Sequence, residues 1–549
     1  MIAASLAQVG VSYDATFLFH DLVFEVYDDR IVGLVGPNGC GKSTILRLLA
    51  GELQPTEGAV SQRADRTFGY LPQEVSLPEN STVFQVVRAG SLELVDVETA
   101  LAQVEERMGD PSVYEDETLL SETIAEQEDL LEEYARLGGP GIETRSRAVL
   151  HALGFSESDL DRPVEILSGG QKKLVGLAMQ AVRRPSVLLL DEPDNHLDLR
   201  GKMLLERFLR SYEGGVLLVS HDRYLLDLVA DEICELEGGQ LTRFPGNYSE
   251  YAVEKESLRA QQEHRFADQQ KELARLRQSA DRLMNWGRTF DNVKFIRRAQ
   301  AIEKRIERMD RVDAPHVERR MRLQLDGWRG SSKVLEASDV RKSYADNRVL
   351  RGVDLLLRHG ERVGLVGDNG SGKSVLFRLI RGEEVPCQGG LELGPSIHLA
   401  YYAQQHETLD PSRTLVDTLR HGAEVSETRA VQTLLRFAFT YDQTRRLVSD
   451  LSGGERSRLQ LALITLARAN FLLLDEPTNN LDIASAEILE EALSEFDGTV
   501  LVISHDRYFL DRVVDRIVDL REGRLSEYAG GYGAYAEAIG ILAPPKEGE

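Results

Sequence analysis

The sequence has few cysteines and no long apolar run. Its three cysteines, Cys40, Cys234 and Cys387, are widely spaced in 549 residues, so they form neither a disulfide framework nor a CxxC pattern for a metal or an iron–sulfur cluster. The longest apolar stretches, such as Val187 to Leu190, have the length of a strand and end in charge, whereas a membrane-spanning helix needs about 20 apolar residues. The N-terminus lacks the basic segment and apolar core of a secretion signal. These absences exclude a membrane channel, and we expect a protein of the reducing cytoplasm with no membrane contact.

Positive charge is in deficit over the whole chain. Lysine and arginine number 65 against 90 aspartates and glutamates, which gives a formal net charge of −25. This balance argues against nonspecific coating of nucleic acid by the whole surface, but it leaves room for local basic elements. The content of 42% hydrophobic and 28% charged residues is typical of soluble globular proteins, and the length allows roughly two to four domains.

One unit occurs twice in the chain. The loops Gly-Pro-Asn-Gly-Cys-Gly-Lys-Ser at 36–43 and Gly-Asp-Asn-Gly-Ser-Gly-Lys-Ser at 367–374 are 331 residues apart. The later strings Leu-Ser-Gly-Gly-Gln at 167–171 and Leu-Ser-Gly-Gly-Glu at 451–455 are 284 residues apart. The offset therefore falls by 47, so the first copy carries about 47 additional residues, which we place near residues 85–140.

The additional segment is strongly acidic. Residues 91–135 contain fifteen aspartates and glutamates and one basic residue, Arg107. Apolar residues recur at helical spacing, which predicts an acidic amphipathic helical hairpin. Charge alone leaves two interpretations: a solvated helix pair on the first domain, or an arm that docks on a basic protein partner.

A second segment without a counterpart, residues 248–332, separates the two copies. It begins with strong helix formers, is interrupted at residues 285–287 (Asn-Trp-Gly), and is predicted to continue as a second helix from about Asn292 to Val312 after a loop at about 283–293. Residues 281–323 hold twelve lysines and arginines against seven acidic residues. The pattern predicts a basic helical hairpin, which on charge alone is either a spacer or a binding element. The predicted organisation is a first domain at 1–247, this linker at 248–332, a second domain at 333–540 and a disordered tail at 541–549.

Each glycine-rich loop follows a short apolar strand and opens an apolar-periodic helix, the context of a phosphate-binding loop. Glycines let backbone N–H groups converge on phosphate, the lysine adds a charge for the β and γ oxygens, and the serine is placed to hold Mg²⁺. We interpret Cys40 as a small loop residue rather than a redox sensor. The predicted binding residues are Gly36, Pro37, Asn38, Gly39, Cys40, Gly41, Lys42, Ser43 and Thr44, and Gly367, Asp368, Asn369, Gly370, Ser371, Gly372, Lys373, Ser374 and Val375.

Polar side chains that follow buried strands are the other predicted site residues. A carboxylate beside the phosphate loop can orient Mg²⁺, and the next carboxylate can accept a proton from the attacking water. The predicted residues are Asp191 and Asp475 for Mg²⁺, Glu192 and Glu476 as bases, His221 and His505 for the γ-phosphate, and Gln73 and Gln404 for metal or water. Tyr13 and Tyr344 each lie 29 residues before the loop lysine, which suits an aromatic face for adenine, although a core tyrosine is the alternative.

Together these motifs resemble the ATP-binding cassette superfamily, whose signature is Leu-Ser-Gly-Gly-Gln/Glu. The resemblance implies an α/β fold with two tandem nucleotide-binding domains that pair head to tail within one monomer. Each ATP would then be shared between the loop of one copy and the signature of the other, closing the pair until hydrolysis reopens it. The implied signature contacts are Ser168, Gly169, Gly170 and Gln171, and Ser452, Gly453, Gly454 and Glu455.

Two fused copies, a charged helical linker and the strings Glu-Pro-Asp-Asn-His-Leu-Asp and Glu-Pro-Thr-Asn-Asn-Leu-Asp resemble the ABC-F group. That resemblance implies a cytoplasmic translation factor that binds the ribosomal exit site and moves its linker toward peptidyl-tRNA and rRNA. The acidic arm would touch a ribosomal protein. The basic residues expected to contact RNA phosphate are Arg288, Lys294, Arg297, Arg298, Lys304, Arg305 and Arg308.

The two copies also differ at their sites. Thr44 corresponds to Val375, Asp194 to Thr478, and Gln171 to Glu455. Because both copies keep the lysine, the acids and the histidine, we predict two active but unequal ATPase sites.

Other functions stay open on the sequence. Within the same group, a factor that protects ribosomes from antibiotics is the alternative, and the short linker tip favours a housekeeping factor. An importer ATPase subunit would need only a short connector, and a DNA-repair ATPase would need long coiled coils or zinc cysteines. The ribosome-recycling relative with iron–sulfur clusters is excluded by the cysteine count.

Overall fold

The computed structural model describes residues 1–540 except residues 14–15, 91, 137–138, 310–320, 322, 326, 346 and 405–406. The predicted tail at 541–549 and the predicted end of the second linker helix at Val312 lie outside the described residues. The described chain is α/β, with two copies of one fold joined by a pair of helices, which confirms the predicted fold class. Among the helices that the structure describes, none has both the length and the apolarity to cross a membrane.

The first copy alternates strands and helices. Its strands are β1 (Ile2–Tyr13), β2 (Thr16–Tyr27), β3 (Ile31–Val35), β4 (Glu57–Gln62), β5 (Phe68–Leu71), β6 (Val187–Asp191), β7 (Gly215–Val219), β8 (Glu232–Glu237) and β9 (Gln240–Pro245). Its helices are α1 (Lys42–Leu49), α2 (Val83–Arg88), α3 (Leu92–Met108), α4 (Pro111–Tyr114), α5 (Glu117–Arg136), α6 (Ile142–Ala152), α7 (Gly169–Ala181), α8 (Leu199–Arg210) and α9 (Arg223–Val229).

A mainly parallel sheet forms the centre of the first copy, in the order β5-β6-β7-β3-β8-β9, with β9 antiparallel to β8. Alternate residues of β6 enter different cores, because successive side chains of a strand point to opposite faces. Val187 and Leu189 pack with α1 and the antiparallel sheet β2-β1-β4, whereas Leu188 and Leu190 pack with α7, α8 and α9. The carboxyl ends of β3, β6 and β7 lie at one sheet edge, so the segments that follow them meet there.

The second copy repeats this architecture. Its strands are β10 (Lys333–Tyr344), β11 (Asn347–Arg358), β12 (Arg362–Val366), β13 (Gln388–Leu393), β14 (Leu399–Tyr402), β15 (Phe471–Asp475), β16 (Thr499–Ile503), β17 (Arg516–Arg521) and β18 (Arg524–Ala529). Its helices are α12 (Lys373–Ile380), α13 (Leu415–Ala423), α14 (Glu427–Arg436), α15 (Gly453–Ala467), α16 (Ile483–Ser494), α17 (Arg507–Val513) and α18 (Tyr532–Ala538). The sheet orders are β14-β15-β16-β12-β17-β18 and β11-β10-β13.

Helices α3, α4 and α5 occur in the first copy between α2 and α6, where the second copy joins α13 to α14 through residues 424–426. Helices α3 and α5 pack together and bury Val104 and Thr123. Leu119, Ile124 and Leu131 of α5 stay exposed. This pair, which we name the acidic arm, occupies residues 92–136 and presents both acidic and apolar side chains to solvent.

The linker consists of α10 (Tyr248–Thr289) and α11 (Val293–Glu307). The predicted interruption at residues 285–287 is wrong, because α10 continues to Thr289. The reversal falls within the predicted loop at about 283–293 but is shorter than it. A helical glycine costs only about 1 kcal/mol relative to alanine, which the neighbouring helix formers offset. The chain reverses at residues 290–292, where Asp291 has φ 45° and the Asn292 side chain caps α11 by accepting from the Lys294 amide at 3.0 Å.

Candidate functional site

Both glycine-rich loops have a backbone that requires glycine. Gly36 has φ 151° and Gly367 has φ 149°, and a Cβ on either would lie within 2.5 Å of a carbonyl oxygen of the neighbouring strand. The loop lysines fold back over this turn. Lys42 Nζ donates to the carbonyl oxygens of Gly36 at 2.8 Å and Pro37 at 3.0 Å, and Lys373 Nζ makes the equivalent bonds in the second copy at 2.7 and 3.0 Å. Both loops therefore place an ammonium group at the start of a helix, as phosphate binding requires.

A first cavity of about 1250 Å³ lies between the loop of the first copy and the signature of the second. The predicted residues that line it are Pro37, Asn38, Gly39, Gly41, Lys42, Ser43, Thr44, Gln73, Glu192 and His221 from the first copy, and Ser452, Gly453, Gly454 and Glu455 from the second. One composite cavity thus takes its phosphate loop and its signature from different copies.

A second cavity of about 650 Å³ has the reciprocal composition. The predicted residues that line it are Tyr344, Asn369, Gly370, Gly372, Lys373, Ser374, Val375, Gln404, Asp475, Glu476 and His505 from the second copy, and Ser168, Gly169 and Gly170 from the first. The head-to-tail arrangement implied by the resemblance is therefore the arrangement of these two cavities.

Several predicted residues lie outside the cavity linings. Gln171 closes the capping box of α7, where its side-chain oxygen accepts from the Ser168 amide at 3.1 Å. Asp191 is buried at the end of β6. The others are Gly36, Cys40, Gly367, Asp368 and Ser371, which belong to the turns of the two loops. The side chain of Tyr13 lies outside the described part of the chain, and the Tyr344 hydroxyl donates to Glu384.

Hydrogen bonds between the copies hold each loop against the opposite copy. The Asn38 amide donates to Asp482 Oδ2 at 3.3 Å and its side-chain nitrogen to the Asn480 carbonyl at 3.0 Å. In the second loop, Asn369 makes the reciprocal bonds to Asp198 Oδ2 at 3.0 Å and to the His196 carbonyl at 3.2 Å. Asp198 and Asp482 were not among the predicted site residues, although both end the repeated Asn-x-Leu-Asp strings, a signal that could have identified them.

The catalytic groups of the two sites are held differently. In the first site Glu192 accepts hydrogen bonds from the Gln73 side chain at 2.8 Å and from Asn195, and His221 Nε2 lies 3.6 Å from its carboxylate. In the second site Glu476 accepts from the His505 backbone amide at 3.2 Å, and His505 Nε2 lies 3.4 Å from its carboxylate. The sites therefore differ in geometry as well as in sequence.

Burial sets the protonation of these groups. It lowers the pKa of His221 to about 3, with a further contribution from the charge of Lys42, and it lowers the pKa of His505 well below its ordinary value. Burial, followed by the charge of Asp475, raises the pKa of Glu476 to about 8. Both histidines are consequently neutral at pH 7 and can act as hydrogen-bond partners rather than as cations.

The donor set fits Mg²⁺ held together with a nucleotide. Four buried polar atoms that have no hydrogen-bond partner among the described residues belong to residues at or just after the carboxyl ends of the parallel strands. They are Asp191 Oδ1 and His221 Nε2 in the first copy and Glu476 Oε1 and His505 Nδ1 in the second. Within the described residues no three His, Cys, Asp or Glu side chains are grouped as a metal cage. Mg²⁺ usually takes one or two protein ligands plus phosphate oxygens and water, so the serine hydroxyl and the buried aspartate of each copy suffice.

Buried ion pairs join the two copies between the sites. Arg223 binds Glu490, and Arg507 binds Glu206, with all four side chains at most 10% exposed. Arg507 also stacks over Tyr224 with its guanidinium carbon 3.8 Å from the ring centroid. These arginines directly follow the repeated Ser-His-Asp string, of which only the histidine was a predicted site residue.

Comparison with known proteins agrees with this geometry. A family model described as ABC transporter matches residues 19–195 and 350–479, and a second model with the same description matches residues 234–325. The energy-dependent translational throttle protein EttA of Escherichia coli (strain K12) is 36% identical over 518 residues, which cover 92% of this chain and 90% of EttA. ABC transporter F family member 5 of Arabidopsis thaliana is 33% identical over 545 residues, which cover 97% of this chain and 77% of that protein.

Solved structures share the fold at lower identity. The archaeal ribosome recycling factor aABCE1, in complex with the ribosomal stalk protein aP1, matches with a TM-score of 0.59 at 21% identity, covering 98% of this chain and 94% of that chain. A model of ribosome-bound archaeal Pelota and ABCE1 matches with a TM-score of 0.60, also at 21% identity, covering 99% and 82%. The matched models, the relatives and the two composite cavities place this chain in the ATP-binding cassette family, as an ATPase of the ABC-F type.

Proposed function

We propose that this ATPase is a translation factor that binds the ribosomal exit site in its ATP-bound, closed state and contacts rRNA and peptidyl-tRNA through its linker. ATP hydrolysis then reopens the copies and releases the factor. The observation that carries this proposal is a linker whose exposed basic face has no carboxylate within 4.0 Å in the described part of the chain. This linker joins two copies that share both ATP sites. The relation to EttA, an energy-dependent translational throttle protein, supports it.

The basic face follows from the packing of α11 on α10. Phe295, Ile296 and Ile302 are partly buried and Ala299 is buried, so the apolar stripe of α11 faces α10. The seven predicted RNA contacts, at positions 288, 294, 297, 298, 304, 305 and 308, are all exposed, and within the described residues none lies within 4.0 Å of a carboxylate. Exposed cations without acidic partners are suited to phosphate, whereas a spacer helix usually pairs its charges.

The tip of the linker carries apolar surface. Trp286, in the last turn of α10, is 49% exposed, and Phe290, the first residue of the reversal at 290–292, is 71% exposed. Exposed rings beside cations can stack on unpaired bases. Since the reversal is short, the tip favours a factor that acts on translation itself over one that reaches a bound antibiotic.

The linker is also connected to both ATP sites. Its first turn contains Ser249, whose amide and hydroxyl donate to Asp227 of α9 at 2.6 and 2.7 Å. The Tyr508 hydroxyl of α17 donates to the same carboxylate and lies 3.3 Å from the Ser249 hydroxyl. Helix α9 follows His221 and helix α17 follows His505. A displacement of either helix is therefore transmitted to the first turn of α10 through the hydrogen bonds among Asp227, Tyr508 and Ser249.

The acidic arm supplies a second contact in this proposal. Its net negative charge and the exposed Leu119, Ile124 and Leu131 suit a basic ribosomal protein with an apolar patch. Deleting residues 91–135 should then lower ribosome affinity without changing ATP hydrolysis in the absence of ribosomes. Unchanged affinity would remove the arm from the proposal.

The decisive experiment is cosedimentation of the Glu192→Gln/Glu476→Gln double variant with ribosomes, with and without ATP. Blocking hydrolysis holds the closed state, so we expect retention with ATP and none without it. The matched control adds Lys42→Ala and Lys373→Ala to the double variant, which removes the phosphate charge. Absence of retention, with ATP binding intact, would refute the translation-factor proposal and make the linker a spacer.

A further inference from the structure

Two buried charged residues of the first copy, Asp194 and Lys202, have uncharged residues at the equivalent positions of the second. Asp194 and Lys202 are 5% and 9% exposed, and the second copy has Thr478 and Ala486 at the equivalent positions. Buried charged groups such as these are stable only with hydrogen-bond or ion-pair partners. Lys202 borders both ATP cavities.

Asp194 and Lys202 belong to one network that holds the segment around His221. Lys202 Nζ lies 2.8 Å from Asp222 Oδ2, and the Ser220 hydroxyl donates to Asp194 Oδ1 at 2.8 Å. The Asp222 amide donates to the same Ser220 oxygen at 2.9 Å, and the Asp222 side chain caps α9 by accepting from the Leu225 amide at 3.0 Å. All these contacts lie within the first copy, so they do not depend on the second.

The equivalent segment of the second copy is held from across the interface. Asp506 caps α17 by accepting from the Phe509 amide at 3.0 Å, and its own amide donates to Ser504 at 3.0 Å. Within the described residues, the cation within 4.0 Å of Asp506 is Arg223 of the first copy, at 3.9 Å. Asp222 has the reciprocal contact with Arg507 at 3.9 Å in addition to Lys202. Separation of the copies would therefore leave Asp222 with a cation and Asp506 without one.

We propose that Asp194 and Lys202 are positioning residues that keep the His221 segment ordered before the copies pair, whereas the His505 segment becomes ordered only when pairing brings Arg223 to Asp506. The first ATP site is then preassembled, and the second is completed by closure. This inference rests on the ATP-driven closure of the proposed function. It assigns a physical origin to unequal sites that does not involve the signature residues.

Hydrogen exchange measured by mass spectrometry tests this order directly. The comparison is between peptides that cover residues 221–229 and residues 505–513, in the nucleotide-free protein and in the ATP-bound Glu192→Gln/Glu476→Gln variant. We expect the first segment to be protected in both states and the second to gain about tenfold protection or more on closure, because separation of the copies takes the Arg223 cation away from the partly buried Asp506 carboxylate.

Two reciprocal variants separate positioning from a merely structural role. Asp194→Thr/Lys202→Ala copies the second copy into the first, and it leaves Asp222 with the cross-interface contact to Arg507 alone, as Asp506 has with Arg223. Its 221–229 segment should lose protection in the nucleotide-free state and regain it on closure, whereas simple destabilisation would lower protection in both states. Thr478→Asp/Ala486→Lys should give the 505–513 segment protection before closure.

Equal protection of both segments in the nucleotide-free wild type would overturn the inference, as would an unchanged 221–229 segment in the first variant. Failure of closure itself is recognised separately. If the distance between labels on the two copies does not respond to ATP, the proposed function has failed at its first step. If that distance responds while the segments behave alike, only this inference is wrong.

Discussion

Replacing Arg223 by methionine measures how much the buried ion pairs contribute to pairing of the two copies. Methionine keeps most of the apolar stem that packs beside Tyr508, where the guanidinium carbon lies 5.1 Å from the ring centroid. The substitution removes the cation that binds Glu490 across the interface. Arg512 still lies 3.1 Å from Glu490, so the carboxylate keeps one partner from its own copy.

The expected magnitude follows from burial. Glu490 is 1% exposed and Arg223 is 4% exposed, and removing one partner of such a pair typically costs about 3–5 kcal/mol. Because Arg512 remains, we expect the lower end, about 3 kcal/mol, which weakens pairing roughly 100-fold. Two ATP molecules bind on closure, so below saturation the extent of closure depends on the square of the ATP concentration. The ATP concentration at which half of the molecules are closed should therefore rise by about the square root of 100, roughly tenfold.

The assay is an ATP titration of the distance between labels on the two copies in the Glu192→Gln/Glu476→Gln background. Arg512→Ala is the matched control, because it removes the other arginine that binds Glu490. Arg512 is 60% exposed, and exposed pairs contribute about 0–1 kcal/mol, so its titration should shift less than about threefold. Equal shifts for both variants would refute the assignment of pairing energy to the buried contact.

Four further outcomes are expected. Single-turnover hydrolysis should differ between Glu192→Gln and Glu476→Gln, because the remaining bases have different hydrogen-bond donors; equal rates would contradict two unequal sites. Tyr508→Phe should shift the equilibrium between the ATP-free and ATP-bound linker positions by up to roughly tenfold, because it removes the hydroxyl that contacts Asp227 and Ser249. The measurement is the distance from the linker tip to a label on either copy, and Tyr224→Phe at the equivalent position should leave that equilibrium unchanged. Arg297→Glu/Arg298→Glu should reduce both the affinity for ribosomes and the dependence of that affinity on salt concentration. Lys271→Glu is the control, because Lys271 already lies 3.7 Å from Asp268, and it should change neither. The same salt dependence in the wild type and the double variant would argue against phosphate contacts. Exposed Cys387 should react with Ellman's reagent in the folded protein, while Cys234 should react only on unfolding, because it is buried and its pKa is raised to about 12.

Local sequence patterns determined most of the fold. The strand-sized apolar runs at residues 187–190 and 471–474 predict buried parallel strands, and the structure has β6 and β15 there. The glycine-rich loops were predicted to bind phosphate and to lead into helices, and the structure has α1 and α12 directly after them. Glycine is needed in these loops because it tolerates the positive φ values that turn the backbone amides toward phosphate. The linker turn was harder to predict, since a single glycine in a run of strong helix formers does not end a helix.

The sequence by itself determined the chemistry of each copy: the phosphate loops, the carboxylates at strand ends and the histidines are local motifs whose spacing limits what they can bind. Only the tertiary structure decided how the copies meet. Asp482 reaches the Asn38 loop, Arg223 reaches Glu490, and Lys202 lies between both cavities, although these partners are up to 444 residues apart. Contacts of that range depend on the docking of two preformed surfaces, so no periodicity within either copy encodes them.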